Sequence, residues 1–345
     1  MPLHVCCYED RPEAMPSLVF MGESLCRADS NVSLHITVPD APDFVVRWAK
    51  TQSRVLLSTR KPDGVSGWDV KPSLLLRELD AGAPEVLWLD DDIIVTRAIS
   101  PILEEFAPDA LLLAEEWHGR MIVPAAPDWG LSYERPLQVV NNCFIRVTQS
   151  HRPVVNRWIE LLRDPRYRQA QTAPLERRPT HLQHDGWPLI ALLQSGEFSD
   201  TPVDWIRAGR QIAQCAGSSG YRPVNRLLDL FRGLPPLIHG LGRKPWGPVA
   251  AASPSQRFLL NLATDVSPYV LTSKKIADDL DVHADWLKPR TAAGSLLRQA
   301  TGSHPGLAGL PLAILHSTHM LIGKAARSGK KDAVDIATPQ PSTPR

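Results

Sequence analysis

Residues 85–95 read EVLWLDDDIIV, an apolar run interrupted by three consecutive aspartates. The first five residues, Glu85–Leu89, are typical of a strand buried on both faces, because apolar residues follow one another without alternation. Upstream, similar short apolar runs alternate with helix-compatible stretches, so we predict the order β-α-β-α-β-α-β for the first hundred residues. This order favours an α/β fold with a mostly parallel sheet flanked by helices.

Individual elements follow from the same patterns, with proline accepted in the first turn of a helix. The predicted strands are Leu3–Tyr8, Ser33–Val38, Arg54–Ser58, Glu85–Leu89, Leu111–Ala114, Gln138–Val147 and Pro235–Ile238. The predicted helices are Pro16–Arg27, Asp43–Lys50, Trp68–Leu79, Val154–Arg163, Trp187–Leu193, Ser253–Val266 and Ser273–Leu280. The segment 165–179 is rich in Arg, Gln and Pro, and we predict an exposed loop there.

Composition excludes several classes of protein. The apolar fraction of 43% is too high for a wholly disordered chain. With 38 basic and 37 acidic residues the net charge is +1, which argues against nucleic acid as a partner. The five cysteines form no CxxC pair, so neither a zinc knuckle nor a disulfide framework is indicated. There are 32 prolines, roughly twice the usual share of about 5%, so we expect irregular loops and short helices.

The aspartate cluster predicts a metal site. Ligands gather at the carboxyl ends of strands in open α/β sheets, which is where Asp90, Asp91 and Asp92 lie. In an extended segment, Asp90 and Asp92 point to one side and Asp91 to the other. Adjacent carboxylates repel one another unless a cation lies between them, and hard oxygen ligands suit Mg²⁺ or Mn²⁺. An acidic turn after a strand is the alternative interpretation.

A second motif follows about 150 residues later, where residues 238–247 read IHGLGRKPWG. His239 can ligate a metal through its neutral imidazole. Gly240 and Gly242 allow the backbone to approach a phosphate closely, and Lys244 supplies a point charge for a phosphate oxygen. A structural Gly-Pro turn is the alternative.

Together the two motifs resemble those of the family 8 glycosyltransferases, which are retaining sugar transferases of GT-A fold. The family pattern is DxD followed much later by HxxGxxKPW, and this chain matches both. The resemblance covers about residues 3–250. It implies that Asp90, Asp92 and His239 bind Mn²⁺ (or Mg²⁺), which bridges the two phosphates of a nucleotide-sugar. It also implies that Gly242 and Lys244 contact the diphosphate.

Further donor contacts are expected by the same resemblance. Lys71 is the counterpart of a basic residue upstream of the aspartates. Asn141 and Asn142 occupy the position of an Asn-Ala-Gly-like segment that faces the donor sugar. Asp91 is part of the first motif and is expected to contact the donor. Tyr8 lies at the end of the first strand and is expected to stack on the nucleotide base. Structural roles for Lys71, Tyr8 and the asparagines are the alternatives.

The catalytic candidates lie in Gln183–Trp187, which resembles an Asp-Gln-Asp-like stretch beside the anomeric carbon. Asp185 matches its later aspartate and is expected to orient the sugar or stabilise positive charge at that carbon. His184 stands where the family has glutamine, so a glutamine's role does not carry over directly. A contact of His184 with sugar or acceptor and a structural histidine remain alternatives.

The resemblance therefore implies metal-dependent transfer of a hexose-type sugar from a nucleotide diphosphate, UDP in this expectation, to a hydroxyl acceptor with retention of configuration. The acceptor is expected to be a glycan, a lipid-linked glycan or a small molecule, in cell-surface glycan or lipopolysaccharide synthesis. A non-catalytic relative that binds a nucleotide-sugar or a protein is the alternative. A HAD-type phosphatase is disfavoured because Ile93 and Ile94 follow the aspartates, and a sugar nucleotidyltransferase because its Gly-rich N-terminal loop is missing.

We predict three regions: a catalytic domain over residues 1–250, a helical C-terminal extension over 251–325, and a disordered tail over 326–345. Residues 306–323 are apolar and are followed by several basic residues. A packed terminal helix and a membrane-surface helix are both compatible with this pattern, whereas a membrane span is disfavoured. The N-terminus lacks a signal-peptide pattern, so we expect a cytoplasmic location, with peripheral contact at the inner face of the membrane.

Overall fold

The computed structural model describes residues 2–62, 67–117, 121–215, 217, 220–249 and 253–320. Ten strands are formed within these residues. They are β1 (Leu3–Tyr8), β2 (Val32–Thr37), β3 (Val55–Ser58), β4 (Glu85–Leu89), β5 (Ile93–Val95), β6 (Leu111–Glu115), β7 (Val140–Thr148), β8 (Val203–Ile206), β9 (Ile212–Gln214) and β10 (Leu237–His239).

Seven strands form the central sheet in the order β3-β2-β1-β4-β7-β6-β8. Strands β3, β2, β1 and β4 are parallel, β7 is antiparallel to both of its neighbours, and β6 and β8 are parallel. Apolar clusters cover both faces of this sheet. The predicted α/β fold with a mostly parallel sheet flanked by helices is confirmed.

The remaining three strands form a small second sheet in the order β5-β10-β9. Strand β5 begins at Ile93, directly after the three aspartates, and pairs antiparallel with β10. Strand β9 pairs with the other edge of β10 in parallel register. This sheet therefore joins the end of β4 to segments more than a hundred residues later in the chain.

The α-helices are short, as the proline content predicts, and the longest of those named here has 14 residues. They are α1 (Met15–Ala28), α2 (Asp43–Thr51), α3 (Lys71–Asp80), α4 (Ser100–Leu103), α5 (Arg152–Leu162), α6 (Pro165–Gln171), α7 (Gly186–Gln194), α8 (Pro223–Arg232), α9 (Pro254–Asp265), α10 (Pro268–Leu280) and α11 (Ala292–Ala300). Proline occupies the first turn of α1, α3, α4, α5, α6, α8, α9 and α10, where its missing N–H costs no helical hydrogen bond.

The prediction of a loop over residues 165–179 is wrong for the first half of this segment, which forms helix α6. The Asp164 side chain caps this helix by accepting a hydrogen bond from the backbone N–H of Arg166 at 2.8 Å, and Pro165 is its first residue. Tyr167 is fully buried and donates its hydroxyl to Asp69 at 2.7 Å. Burial of this single aromatic side chain fixes a segment whose composition is otherwise that of a loop.

The C-terminal region packs against the small sheet, since Tyr269 and Ile276 of α10 belong to the same apolar cluster as Ile94 and Ile238. Residues 310–320 are helical, in agreement with a terminal helix in this stretch. Among the described residues, no helix combines the length and apolarity needed to cross a membrane. The boundary at residue 250 stays a prediction, and the tail predicted over 326–345 lies outside the described residues.

Candidate functional site

The three aspartates follow the carboxyl end of β4 and form the turn that leads into β5. The backbone N–H of Asp90 still donates to the carbonyl of Cys143 on β7, at 2.9 Å. The backbone N–H of Ile93 donates back to the carbonyl of Asp90 at 3.3 Å, which closes the turn. The cluster is therefore fixed by hydrogen bonds on both sides at the sheet edge where ligands gather.

Pairing between β5 and β10 brings the second motif to this turn. His239 is the register partner of Ile93, and the backbone N–H of Gly240 donates to the carbonyl of Asp92 at 2.9 Å. The Nε2 atom of His239 lies 3.4 Å from Oδ1 of Asp92. One ligand atom from each of Asp90, Asp92 and His239 lies within 4.8 Å of the other two. The structure thus forms a candidate metal site from these three residues.

Gln214 orients the imidazole of this site. It is the register partner of His239 on β9, and its Oε1 lies 2.6 Å from His239 Nδ1. Its Nε2 donates to the carbonyl of Glu115 at 3.0 Å, so Oε1 is the atom that faces the histidine. Nδ1 of His239 therefore carries the proton, and the lone pair of Nε2 points toward Asp92. Two carboxylates and an imidazole in this tautomer fit a divalent ion.

Sequence reasoning missed Gln214. It lies in a three-residue strand with no motif around it, and it is fully buried. Its proximity to His239 depends entirely on the pairing of β9 with β10.

Lys244 is paired with the same carboxylate. Its ammonium group donates to Oδ2 of Asp92 and to the carbonyl of Gly240, the latter at 3.1 Å. Burial alone would raise the pKa of Asp92, but the charge of Lys244 beside it holds that pKa well below its usual range. Gly242 has a φ of +78°, a backbone conformation that other residues adopt at a cost, and it turns the loop between His239 and Lys244.

Asp91 points away from this carboxylate pair. Its Oδ2 accepts a hydrogen bond from the Ser17 hydroxyl on α1 at 2.6 Å, and its Oδ1 lies 3.4 Å from the Arg11 guanidinium. Burial, together with the nearby charges of Glu9 and Asp92, raises the pKa of Asp91 well above its ordinary value. Asp91 therefore ties the turn to α1, and its predicted contact with a donor stays a prediction.

Lys71 is the first residue of α3 and is 3% exposed. Its Nζ lies 2.9 Å from Oδ1 of Asp90 and donates to the carbonyl of Asn142 at 3.0 Å. Burial works against the charged form, but the carboxylates of Asp90 and Asp185 outweigh it and raise the pKa of Lys71. Lys71 is therefore a buried cation at the edge of the candidate metal site.

Asp185 is buried beside Lys71 and is 1% exposed. Its Oδ2 makes no close hydrogen bond among the described residues, and neither does the buried Nδ2 of Asn142, although that amide lies beside Asp185. Burial raises the pKa of Asp185 to about 7, although the charge of Lys71 acts in the opposite direction. A buried carboxyl with an unsatisfied oxygen and a near-neutral pKa is a candidate for contact with a ligand.

His184 lies between two tryptophans, with its ring centre 6.0 Å from that of Trp187 and 6.4 Å from that of Trp68. Its Nδ1 accepts a hydrogen bond from the backbone N–H of Gly186 at 3.3 Å. Burial, and secondarily the charge of Lys71, lowers the pKa of His184 to about 4. The ring is therefore neutral at pH 7, with the proton on Nε2.

The two remaining predicted donor residues have partners of their own. Asn141 donates from Nδ2 to Glu116 at 3.2 Å and accepts from the backbone N–H of Cys143 at 3.2 Å. The hydroxyl of Tyr8 donates to Asp10 at 2.9 Å, and the Tyr8 ring is buried in the cluster beneath α3. A role for either residue in donor binding stays a prediction.

Fold and site together define an α/β protein with a candidate divalent-metal site at the carboxyl edge of its sheet. No protein family model matches the sequence, and no curated protein matches it. Among the solved structures to which the chain is similar are several glycosyltransferases.

The apo form of the glycosyltransferase GlyE from Streptococcus pneumoniae TIGR4 aligns at 13% identity and a TM-score of 0.48, over 81% of this chain and 64% of its own. The galactosyltransferase LgtC, solved with donor and acceptor sugar analogues, aligns at 15% identity and a TM-score of 0.46, over 75% of this chain and 95% of its own. The chain thus spans less than two thirds of GlyE.

Proposed function

We propose that this protein is a metal-dependent glycosyltransferase of family 8 type. It transfers a hexose-type sugar from UDP to a hydroxyl acceptor with retention of configuration. The observation that carries the proposal is the convergence of Asp90, Asp92 and His239 from two distant motifs, with the Lys244 cation beside them. This combination of a divalent-ion site and an additional cation suits a nucleotide diphosphate, because its phosphates carry several negative charges.

Asp90, Asp92 and His239 are the residues that would hold Mn²⁺ or Mg²⁺. Such an ion neutralises the diphosphate and stabilises it as a leaving group. The Gln214 hydrogen bond supports this assignment, because it leaves His239 Nε2 as a lone-pair donor on the side of Asp92. In the free protein the ammonium group of Lys244 is paired with the Asp92 carboxylate. When the donor binds, this group would move to a phosphate oxygen.

The reacting sugar would lie near Asp185 and Lys71. Cleavage of the anomeric C–O bond places positive charge on the sugar ring, and the ionised Asp185 carboxylate would stabilise it. The Asn142 side-chain amide, which lies beside Asp185, would donate to a sugar hydroxyl. His184, neutral with its proton on Nε2, would donate to the sugar or to the acceptor.

We propose a membrane-associated glycan as the acceptor, with the protein acting at the cytoplasmic face of the membrane. The exposed apolar face of α8 supports this proposal. Val224, Leu227, Leu228 and Phe231 recur at helical spacing and are all exposed, with Phe231 88% exposed. The opposite side of α8 carries Arg226, which is buried and donates to the Tyr221 carbonyl at 2.9 Å.

An amphipathic helix with its apolar side outward fits a lipid surface. The C-terminal segment, which is the membrane contact expected from the sequence, exposes Ile314 and Leu315.

A thermal-shift screen of UDP-sugars in Mn²⁺ and in chelator tests donor and metal together. We expect stabilisation by one UDP-sugar in Mn²⁺ only, lost in Asp92→Asn and kept in the control Asp128→Asn, whose carboxylate is exposed. Equal stabilisation with and without metal would contradict the proposal. Release of UDP from the stabilising sugar nucleotide separates an enzyme from the alternative, a non-catalytic binder, since a binder leaves the donor intact.

A further inference from the structure

A second group of metal-ligating side chains lies on the central sheet away from the aspartate turn. His4 on β1, His35 on β2 and Glu78 on α3 each place one ligand atom within 4.8 Å of the other two. His4 is the register partner of Val86, which lies four residues before Asp90, or about 13 Å along an extended strand. The two groups therefore do not share a ligand, and the function proposed above does not use this one.

Strand register explains why the two histidines meet. His35 is paired with Cys6, so His4, two residues before Cys6, lies on the same face of the sheet as His35. Their ring centres are 4.8 Å apart. Helix α3 covers this face, and its Glu78 is buried between the helix and the sheet.

Both imidazoles turn the same nitrogen toward one carboxylate oxygen. Nδ1 of His35 lies 2.7 Å and Nδ1 of His4 lies 3.5 Å from Oε2 of Glu78. Ligand atoms around a tetrahedral ion with bonds of about 2.0–2.1 Å are separated by about 3.4 Å. The His4 distance matches this spacing, and the His35 distance is a hydrogen bond that would open slightly to admit an ion.

The surrounding groups leave these three atoms available. Nδ1 of His4 is buried and makes no hydrogen bond among the described residues. The Ser33 hydroxyl lies 3.0 Å from Nε2 of His35, so its oxygen can accept a hydrogen bond from Nε2–H when Nδ1 ligates. Arg77 donates to the other oxygen of Glu78, Oε1, at 3.1 Å and leaves Oε2 free to ligate.

We propose that His4, His35 and Glu78 form a second metal site, for a transition ion of the Zn²⁺ class. Two imidazoles and one carboxylate are a common ligand set for such ions. The imidazoles are partly exposed, 26% for His4 and 16% for His35, so water completes the coordination. The ion would fasten α3 to β1 and β2. Helix α3 begins at Lys71, so the ion would also help to hold Lys71 in place beside Asp90 at the first metal site.

Equilibrium dialysis of the metal-stripped full-length protein against Zn²⁺ tests this site. We expect two ions per chain in the wild type, one in Asp92→Asn and one in His35→Asn. His4→Asn is expected to match His35→Asn, and it removes no hydrogen bond of Nδ1, so it is the milder variant. The control His283→Asn changes a histidine that is 93% exposed and should leave both ions bound.

Co²⁺ reports on the geometry proposed for this second site, because tetrahedral Co²⁺ absorbs visible light strongly and octahedral Co²⁺ does so weakly. We expect the strong absorption in Asp92→Asn and its loss in the double variant Asp92→Asn/His4→Asn. Zn²⁺ should likewise raise the melting temperature of Asp92→Asn but not of the double variant. An Asp92→Asn protein that binds no Zn²⁺, or an Asp92→Asn/His4→Asn protein that keeps the tetrahedral Co²⁺ signal, would overturn the proposal. The Zn²⁺ and Co²⁺ measurements are made without a sugar nucleotide, so their results do not depend on whether the protein is a glycosyltransferase.

Discussion

Gln214 and His239 are register partners on adjacent strands, and a hydrogen bond of 2.6 Å joins the amide oxygen to Nδ1 of the imidazole. This bond fixes the tautomer and the orientation of the histidine. The side of the ring that faces Asp92 is then a lone pair rather than an N–H. A residue that belongs to neither motif thus sets the chemistry of the candidate metal site.

Replacing Gln214 with Leu should weaken Mn²⁺ binding by roughly 10–100-fold, because the imidazole loses the partner that orients it. Calorimetric titration with Mn²⁺ measures this effect. Gln194→Leu is a matched control, since Gln194 is equally buried but bonds to the backbone of Ala125. That control should lower the melting temperature and leave Mn²⁺ affinity unchanged. Equal Mn²⁺ affinities for Gln214→Leu and wild type would contradict the assigned role.

Lys244→Met should change the binding of metal and of donor in opposite directions. Lys244 competes with a metal for Oδ2 of Asp92 in the free protein, so its removal should strengthen binding of Mn²⁺ alone. The same change removes a cation from the diphosphate and should weaken UDP-sugar binding by about tenfold or more. Titrations with each ligand separately check both signs. Lys274→Met, at a partly exposed lysine of α10, is the control. Parallel changes in both affinities would contradict this role.

The raised pKa of Asp185 predicts that the free energy of unfolding depends on pH. Its pKa is raised from an ordinary 3.8 to about 7 in the folded protein, so the folded state holds this proton more tightly than the unfolded state. The stabilisation is complete below pH 4 and is lost as the pH rises through about 7, with a total of about 4 kcal/mol. Denaturant titrations of wild type and Asp185→Asn should diverge across this window. A constant difference between the two proteins would show that Asp185 does not titrate there.

The same ionisation predicts a pH dependence in activity. If the carboxylate stabilises positive charge on the sugar, the transfer rate should rise as the pH passes through about 7. Lys71→Met removes the cation that lowers the pKa of Asp185, so the midpoint should move up by about one pH unit. Rate-versus-pH profiles of wild type and Lys71→Met check this shift. Lys71→Arg, which keeps the charge, should retain a midpoint near that of the wild type.

Gly242→Ala should destabilise the loop that carries Lys244. The φ of Gly242 is +78°, and a Cβ there meets no atom within 4 Å, so the cost is that of the backbone conformation, about 1 kcal/mol. Gly247→Ala lies in the same motif without a positive φ and should have little effect. Urea unfolding and UDP-sugar affinity measure the two variants. A Gly242→Ala protein as stable as Gly247→Ala would show that the loop tolerates the change.

The strands β1 and β4 have the bounds that the sequence predicts, and helices α1, α2, α5 and α7 lie within two residues of theirs. Unbroken apolar runs and prolines in first helical turns are local signals, so they can be read without tertiary information. The short strands β5, β8 and β9 were missed, because three or four residues are too few to show a period. Helix α6 was missed because its composition resembles that of a loop.

The sequence by itself determined the fold class and the two motifs that hold Asp90, Asp92, His239 and Lys244. The fold class and the motifs depend on short stretches of sequence whose apolar pattern or residue spacing can be recognised directly. Only the tertiary structure decided which side chains meet: Asp92 with Lys244, His239 with Gln214, Lys71 with Asp90, and His4 with Glu78. The physical reason is that strand register and helix packing determine these contacts. Both depend on burial of apolar surface across the whole chain, and no local sequence pattern specifies them.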